Sequence, residues 1–208
     1  MVDGETGVMA PERWRELLEA AAAEFAAHGY EQASLNRIIR ACRMSKSSFY
    51  YYVESKEKLF DIVVDEIAGA LARALDVPSP EEFAAGDFWD HVEQLLDRLV
   101  TLSEREPAFT DVGRMFHLPG APVGKDSALT RSVAAAQDWL ERTLAAARSA
   151  GAVRADLPLS LQLQVAAAII RAFDEWTLRN RDQLSPDELG QLVHAQLDAL
   201  KRLLATAE

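Results

Sequence analysis

With one cysteine, Cys42, among 208 residues, the chain can form no internal disulfide, and a reducing cytoplasm suits it. Long apolar runs are also missing: Arg, Glu, Asp or Gln interrupts each one before the roughly 18 residues of a membrane span. The opening stretch, MVDGETGVMAPE, is acidic and has no apolar core, so no secretory leader is expected. Runs of alternating β-branched residues are absent, which argues against a sheet. GxSxG, GxGxxG, HExxH and paired Glu-x-x-His motifs are absent too, so neither catalysis nor a metal or other cofactor is expected.

What remains is 49% apolar and 26% charged, the balance of a globular chain with a substantial core. The net charge of −11 argues by itself against a nucleic-acid partner. Its distribution reverses that inference. Residues 1–33 sum to −5 and residues 59–208 to −10, whereas residues 34–58 sum to +4, with Arg37, Arg40, Arg43, Lys46, Lys56 and Lys58 against Glu54 and Glu57. A phosphate backbone responds to charge within about a Debye length, roughly 8–10 Å, so a local basic island matters more than the total. All four tyrosines, Tyr30, Tyr50, Tyr51 and Tyr52, lie in or beside that island.

Apolar residues recur at helical spacing throughout. Pro11 opens a helix over about 11–28 with Trp14, Leu17, Leu18, Ala21 and Phe25 inward, and Gly29 closes it. Ser34 is placed to cap a second helix carrying Leu35, Ile38, Ile39 and Cys42 inward, Cys42 as a small core residue. After the turn Arg43-Met44-Ser45, Ser45 caps a third helix over 46–52, and Ser55 caps a long fourth that ends at Pro78 and Pro80. Five more helices are predicted near 87–104, 107–117, 127–149, 158–180 and 186–206. The expectation is an all-α protein of about nine helices. A small N-terminal unit, residues 1–58, would be joined by helix 4 to a larger bundle, residues 59–208.

Residues 34–52 read as helix, three-residue turn and helix, with a polar tip on the second helix. This is helix-turn-helix geometry, in which that helix enters a major groove about 12 Å wide. Lys46, Ser47 and Ser48 supply donors at the tip, and Phe49 is spaced to pack inward. Tyr50, Tyr51 and Tyr52 cannot share one face, so at least one hydroxyl should reach DNA. Lys56 adds charge at the next helix start. The candidate DNA-contacting set is Ser34, Arg37, Arg43, Ser45, Lys46, Ser47, Ser48, Tyr50, Tyr51, Tyr52 and Lys56.

The stretch from Trp14 to Phe60, with LLEAAAAEFAAHGYEQASLNRII followed by MSKSSFYYYVESKEKLF, resembles the N-terminal domain of TetR-family transcriptional regulators. The resemblance covers about a quarter of the chain. It implies a recognition helix at 46–52, a phosphate-contacting tyrosine at Tyr50 or Tyr51 and a helix-4 lysine at Lys56. It also implies a homodimer and a small-molecule site in the C-terminal bundle. Three residues depart from the pattern. Arg43 replaces a turn glycine, and so either adopts negative φ or carries about 1–2 kcal/mol of strain. Val53 replaces a common Phe, and Ser47 a frequent Gly or Ala.

An effector site needs an apolar cavity with a few orienting polar groups. Trp89, His91, Phe109, Met115, Phe116, Trp139, Phe173 and Trp176 are the candidates, with His117 as a further polar group. Arg171, Asp174 and Glu175 have the spacing of a mutually paired surface cluster, although an inward acid beside Trp176 would favour a cationic lipophile. Two apolar stripes mark the last helices: Leu161, Val165, Ala168, Ile169, Ala172 and Trp176, then Leu189, Leu192, Val193, Leu197, Leu200 and Leu204. Helices 158–180 and 186–206 are therefore expected to form a homodimer interface. Together these features predict a cytoplasmic, ligand-responsive repressor that binds a palindromic double-stranded DNA operator and has no membrane partner. The competing uses of such a chain are a helical protein-interaction module or an all-α enzyme with an aromatic cavity.

Overall fold

The computed structural model describes residues 9–206; the segment before Met9, where no leader was expected, lies outside the described residues. The fold is all-α, and the only β contact among the described residues is one bridge between Val153 and Ala205. Helix α1 spans Pro11–Gln32, broken near its end where Gly29 takes φ 73°. Helices α2 (Leu35–Ala41) and α3 (Lys46–Tyr52) follow the predicted bounds closely. Helix α4 starts at Lys56–Val63, passes through a π turn at Val64–Ala68 and continues over Gly69–Leu75.

Pro80 does not simply end that stretch. Ser79 forms a capping box with Glu82, and Pro80 sits at the first position of a short helix α5, Pro80–Ala84, which makes ten α-helices among the described residues where about nine were expected. The remaining helices are α6 (Phe88–Arg105), α7 (Pro107–Met115), α8 (Ala128–Ser149), α9 (Leu159–Asn180) and α10 (Pro186–Leu204).

Two apolar cores result. The first joins Leu17, Phe25, Ile38, Phe49, Val53 and Phe60 of α1–α4 to Val112 and Met115 of α7 and Leu129 of α8. Phe25, Tyr30 and Phe60 meet in edge and stacked contacts 5.1–6.1 Å between centroids. The second core gathers Phe83, Phe88, Leu144, Val153, Leu200 and Leu204. The predicted α10 stripe is thus used inside its own chain, because α10 lies against α6 and α9. Ala195 is left exposed on α10. The α9 stripe stays outward: Ala168 and Ala172 are exposed, as are Leu161 at 43% and Trp176 at 49%.

Candidate functional site: a helix-turn-helix face and a bundle cavity

The recognition face rests on a dry support. Phe49 and Val53 are fully buried on the inner side of α3, leaving the outer side free. There Lys46, Ser47 and Ser48 are exposed, with Tyr50 at 52% and Tyr51 at 68%. Ser45 accepts a hydrogen bond from the Ser48 backbone N–H at 3.0 Å, and its hydroxyl lies 3.0 Å from that of Ser47. It therefore positions the helix start. Tyr52 is half-buried, edge-on to Tyr51 at 4.9 Å, and lines a small groove with Arg13, Arg43 and Ser48.

Two members of the expected DNA set, Arg37 and Lys56, have their side chains engaged elsewhere, and a third, Ser34, does not cap α2 as expected. Ser34 makes no side-chain cap to α2; its backbone N–H instead donates to Glu24 at 2.8 Å. The Arg37 guanidinium donates to both Glu24 oxygens at 2.8 and 3.0 Å and to the Gln32 carbonyl at 2.9 Å. Burial of Glu24 would raise its carboxyl, but Arg37, the Ser34 N–H and nearby His28 together hold it below the ordinary value. The Lys56 ammonium turns inward and donates to the carbonyls of Tyr30 (2.8 Å), Glu31 (3.1 Å) and Ala33 (3.4 Å). It also lies 4.8 Å from the Tyr30 ring centre. Its three N–H donors are all occupied, so it ties the end of α1 to the start of α4. Arg43 takes φ 51°, the strained alternative for that turn position.

Cys42 is buried, and that burial pushes its thiol pKa up, as suits a core residue.

A cavity of about 910 Å³ lies between α4, α6, α7, α8, α9 and α10. Of the eight predicted lining residues, Phe109, Phe116, Trp139 and Phe173 reach it. The other four do not. Trp89 donates to the Ala152 carbonyl at 3.2 Å and packs on the second core, and His91 is held by the Phe83 carbonyl at 2.9 Å. Met115 is fully buried in the first core, and Trp176 points outward. An aromatic at helical spacing marks an inward face without telling which of two interiors it enters.

Polar groups missed as site residues also line the cavity, notably Asp174, Arg171, Arg181, Gln137 and Gln196. The expected surface cluster does not form. Glu175 pairs with Arg179 at 2.7 Å and approaches His117 at 3.5 Å, leaving Asp174 turned into the cavity. Burial alone pushes the Asp174 carboxyl up to about 6. Burial lowers His117, partly offset by Glu175. The helical period gave the needed signal: Asp174 falls beside Ile170 and Leu178 on the face turned away from Trp176.

A helix-turn-helix unit, continuous with a helical bundle that encloses a cavity, defines the class of protein. Residues 17–63 match the family model described as bacterial regulatory proteins, tetR family. The match lies within the helix-turn-helix unit, from α1 into α4, and does not extend over the bundle. The A-factor receptor protein of Streptomyces griseus is 35% identical over 57 residues, covering 27% of this chain and 21% of that one. The chain is thus matched to about a fifth of that relative's length. The fatty acid degradation regulator FadR of Bacillus halodurans superposes with a TM-score of 0.71 at 17% identity, over 90% of this chain and 97% of that one. AibR, solved with isovaleryl coenzyme A and operator DNA, gives 0.65 at 21% identity, over 90% and 97%. These two likenesses establish the shared fold.

Proposed function

We propose that the chain is a cytoplasmic transcriptional repressor that binds a palindromic operator as a homodimer and releases it when a small molecule fills the bundle cavity. The observation that carries this reading is the outer face of α3: a cationic and hydroxyl-bearing tip, followed by two exposed tyrosines, on a fully buried support. Lys46, Ser47 and Ser48 would lead into the major groove, and Tyr50 and Tyr51 would meet phosphates at its edge. Ser34, Arg37, Ser45 and Lys56 act as positioning residues that fix α3 against α1 and α4. The proposed division, residues 1–58 for DNA and 59–208 for sensing and dimerisation, cuts at the start of α4. Leu59, Phe60 and Val63 of α4 complete the first unit's core.

No described helix is long and apolar enough to cross a membrane. Two features support the sensing role: the cavity, and α7, which lines it and also packs on α1. A ligand there can shift the DNA-binding equilibrium only by its differential affinity for the two arrangements, commonly 1–3 kcal/mol.

The test uses the full chain and duplex fragments selected from the source genome. Specific binding should weaken steeply with salt. The Tyr51→Ala variant should lose affinity and about one unit of log–log salt slope. Absence of duplex binding at low salt, or an unchanged affinity and slope in Tyr51→Ala, overturns the reading.

A further inference from the structure

We infer that the cavity selects lipophilic amines, with the Asp174 carboxylate as counter-ion for the ligand's ammonium. The inference rests on the cavity's being the effector site proposed above. Asp174 sits mid-helix on α9 and faces a space bounded by Leu99, Val100, Phe109, Trp139, Phe173 and Leu178, an apolar enclosure too large for one water. Among the described residues its carboxylate makes no hydrogen bond and no ion pair.

The other charged groups at the cavity do not reach it. On its own helix, Arg171 is exposed and Glu175 is paired outward with Arg179. Arg181 follows the end of α9, and His117, from the turn after α7, faces Glu175 at 3.5 Å. The residues of α6, α8 and α10 that line the cavity carry no charge; Asp97, Arg98 and Asp138 lie on those helices but not among the lining residues. A carboxylate with lost hydration and no protein partner is satisfied by a ligand that brings the opposite charge. An anionic ligand would face that carboxylate unpaired, and a neutral one would leave it so.

The probes are three molecules with one tail: decylamine, decan-1-ol and decanoate. Calorimetry on the full chain at pH 7.5, without DNA, should show decylamine bound at least about tenfold tighter than decan-1-ol, the ratio a charge-assisted contact gives. Decanoate should bind weakest. The isosteric Asp174→Asn variant should lose the amine's advantage while keeping affinity for the alcohol, which also shows that the cavity is intact. An alkylammonium stays protonated, like lysine near 10.4. Its affinity should therefore rise between pH 5 and 8 in the parent chain and stay flatter in Asp174→Asn. Comparable affinity for all three probes, preference for decanoate, or no binding of any overturns the inference. Decylamine that binds through Asp174 yet leaves operator affinity unchanged sustains the inference and removes the sensing role from the proposed function.

Discussion

Arg43 holds a left-handed backbone at the turn between α2 and α3, where a side chain costs about 1–2 kcal/mol. Glycine would relieve that strain but gives the unfolded chain more freedom, which removes part of the gain. Arg43→Gly should therefore raise stability by about 1 kcal/mol, a rise of roughly 2–4 °C in Tm for a chain of this size. If the guanidinium also meets a phosphate, the same variant should bind the operator less tightly with a shallower salt slope. A more stable protein with unaltered DNA binding would leave Arg43 without a contact. Glu24 makes a second prediction at this scale. Its carboxyl is held below the ordinary 4.5 when folded, so its contribution is complete above that value and lost as pH falls through the lower folded one. Thermal melts of Glu24→Gln against the parent should differ most near pH 6 and converge toward pH 3. A gap that stays constant would assign no stability to the Glu24–Arg37 pair.

Among the elements, α4, α7 and α8 each touch both the first core and the cavity, and the proposed coupling is sought there. Helix α7 presents Val112 to the first core and also to the cavity, while Phe109 of the same helix and Phe116, just past its end, line the cavity. The π turn of α4 touches both α7 and α8. Asp61 of α4 accepts the Ala128 backbone N–H at 2.8 Å at the start of α8, and Asp65 pairs with Arg131 at 2.7 Å. Asp61→Ala removes that acceptor at a helix start, a loss of about 1 kcal/mol. It should lower Tm and, more tellingly, reduce the factor by which a cavity ligand weakens operator binding. An unreduced factor would place the coupling in α7 alone. Element boundaries were largely legible in the sequence because caps and breakers act locally: Ser45, Ser55 and Pro11 each sit where predicted. The π turn and α5 were not, since neither changes the apolar period over its few residues. Side-chain roles were less legible still. Lys56 and Arg37 are basic residues in a basic island, and only the folded arrangement brings the α1 carbonyls and Glu24 within their reach.

For the whole molecule, the proposed dimer rests on the outward stripe of α9. Leu161, Ala168, Ala172 and Trp176 are exposed along one side of a helix that is otherwise packed into its own bundle. A tryptophan flanked by small residues permits close approach of a second helix. An exposed apolar stripe on a chain with a net charge of −11 marks an interface more readily than a solvated face. A second copy related by a two-fold axis would cover the stripe with its own equivalent. The same pairing would set two recognition helices about 34 Å apart, enough to read both halves of a palindrome; one short helix alone makes too few contacts for specific binding. Trp176→Glu places a charge on the stripe without touching either core or the cavity. Sedimentation should then give the mass of one chain where the parent gives two, with unchanged helical content. Operator affinity should fall by about a hundredfold or more, toward non-specific binding, while affinity for a cavity ligand stays intact. A variant that remains dimeric would move the interface off α9, and one that is monomeric yet keeps full operator affinity would show that a single recognition helix is enough.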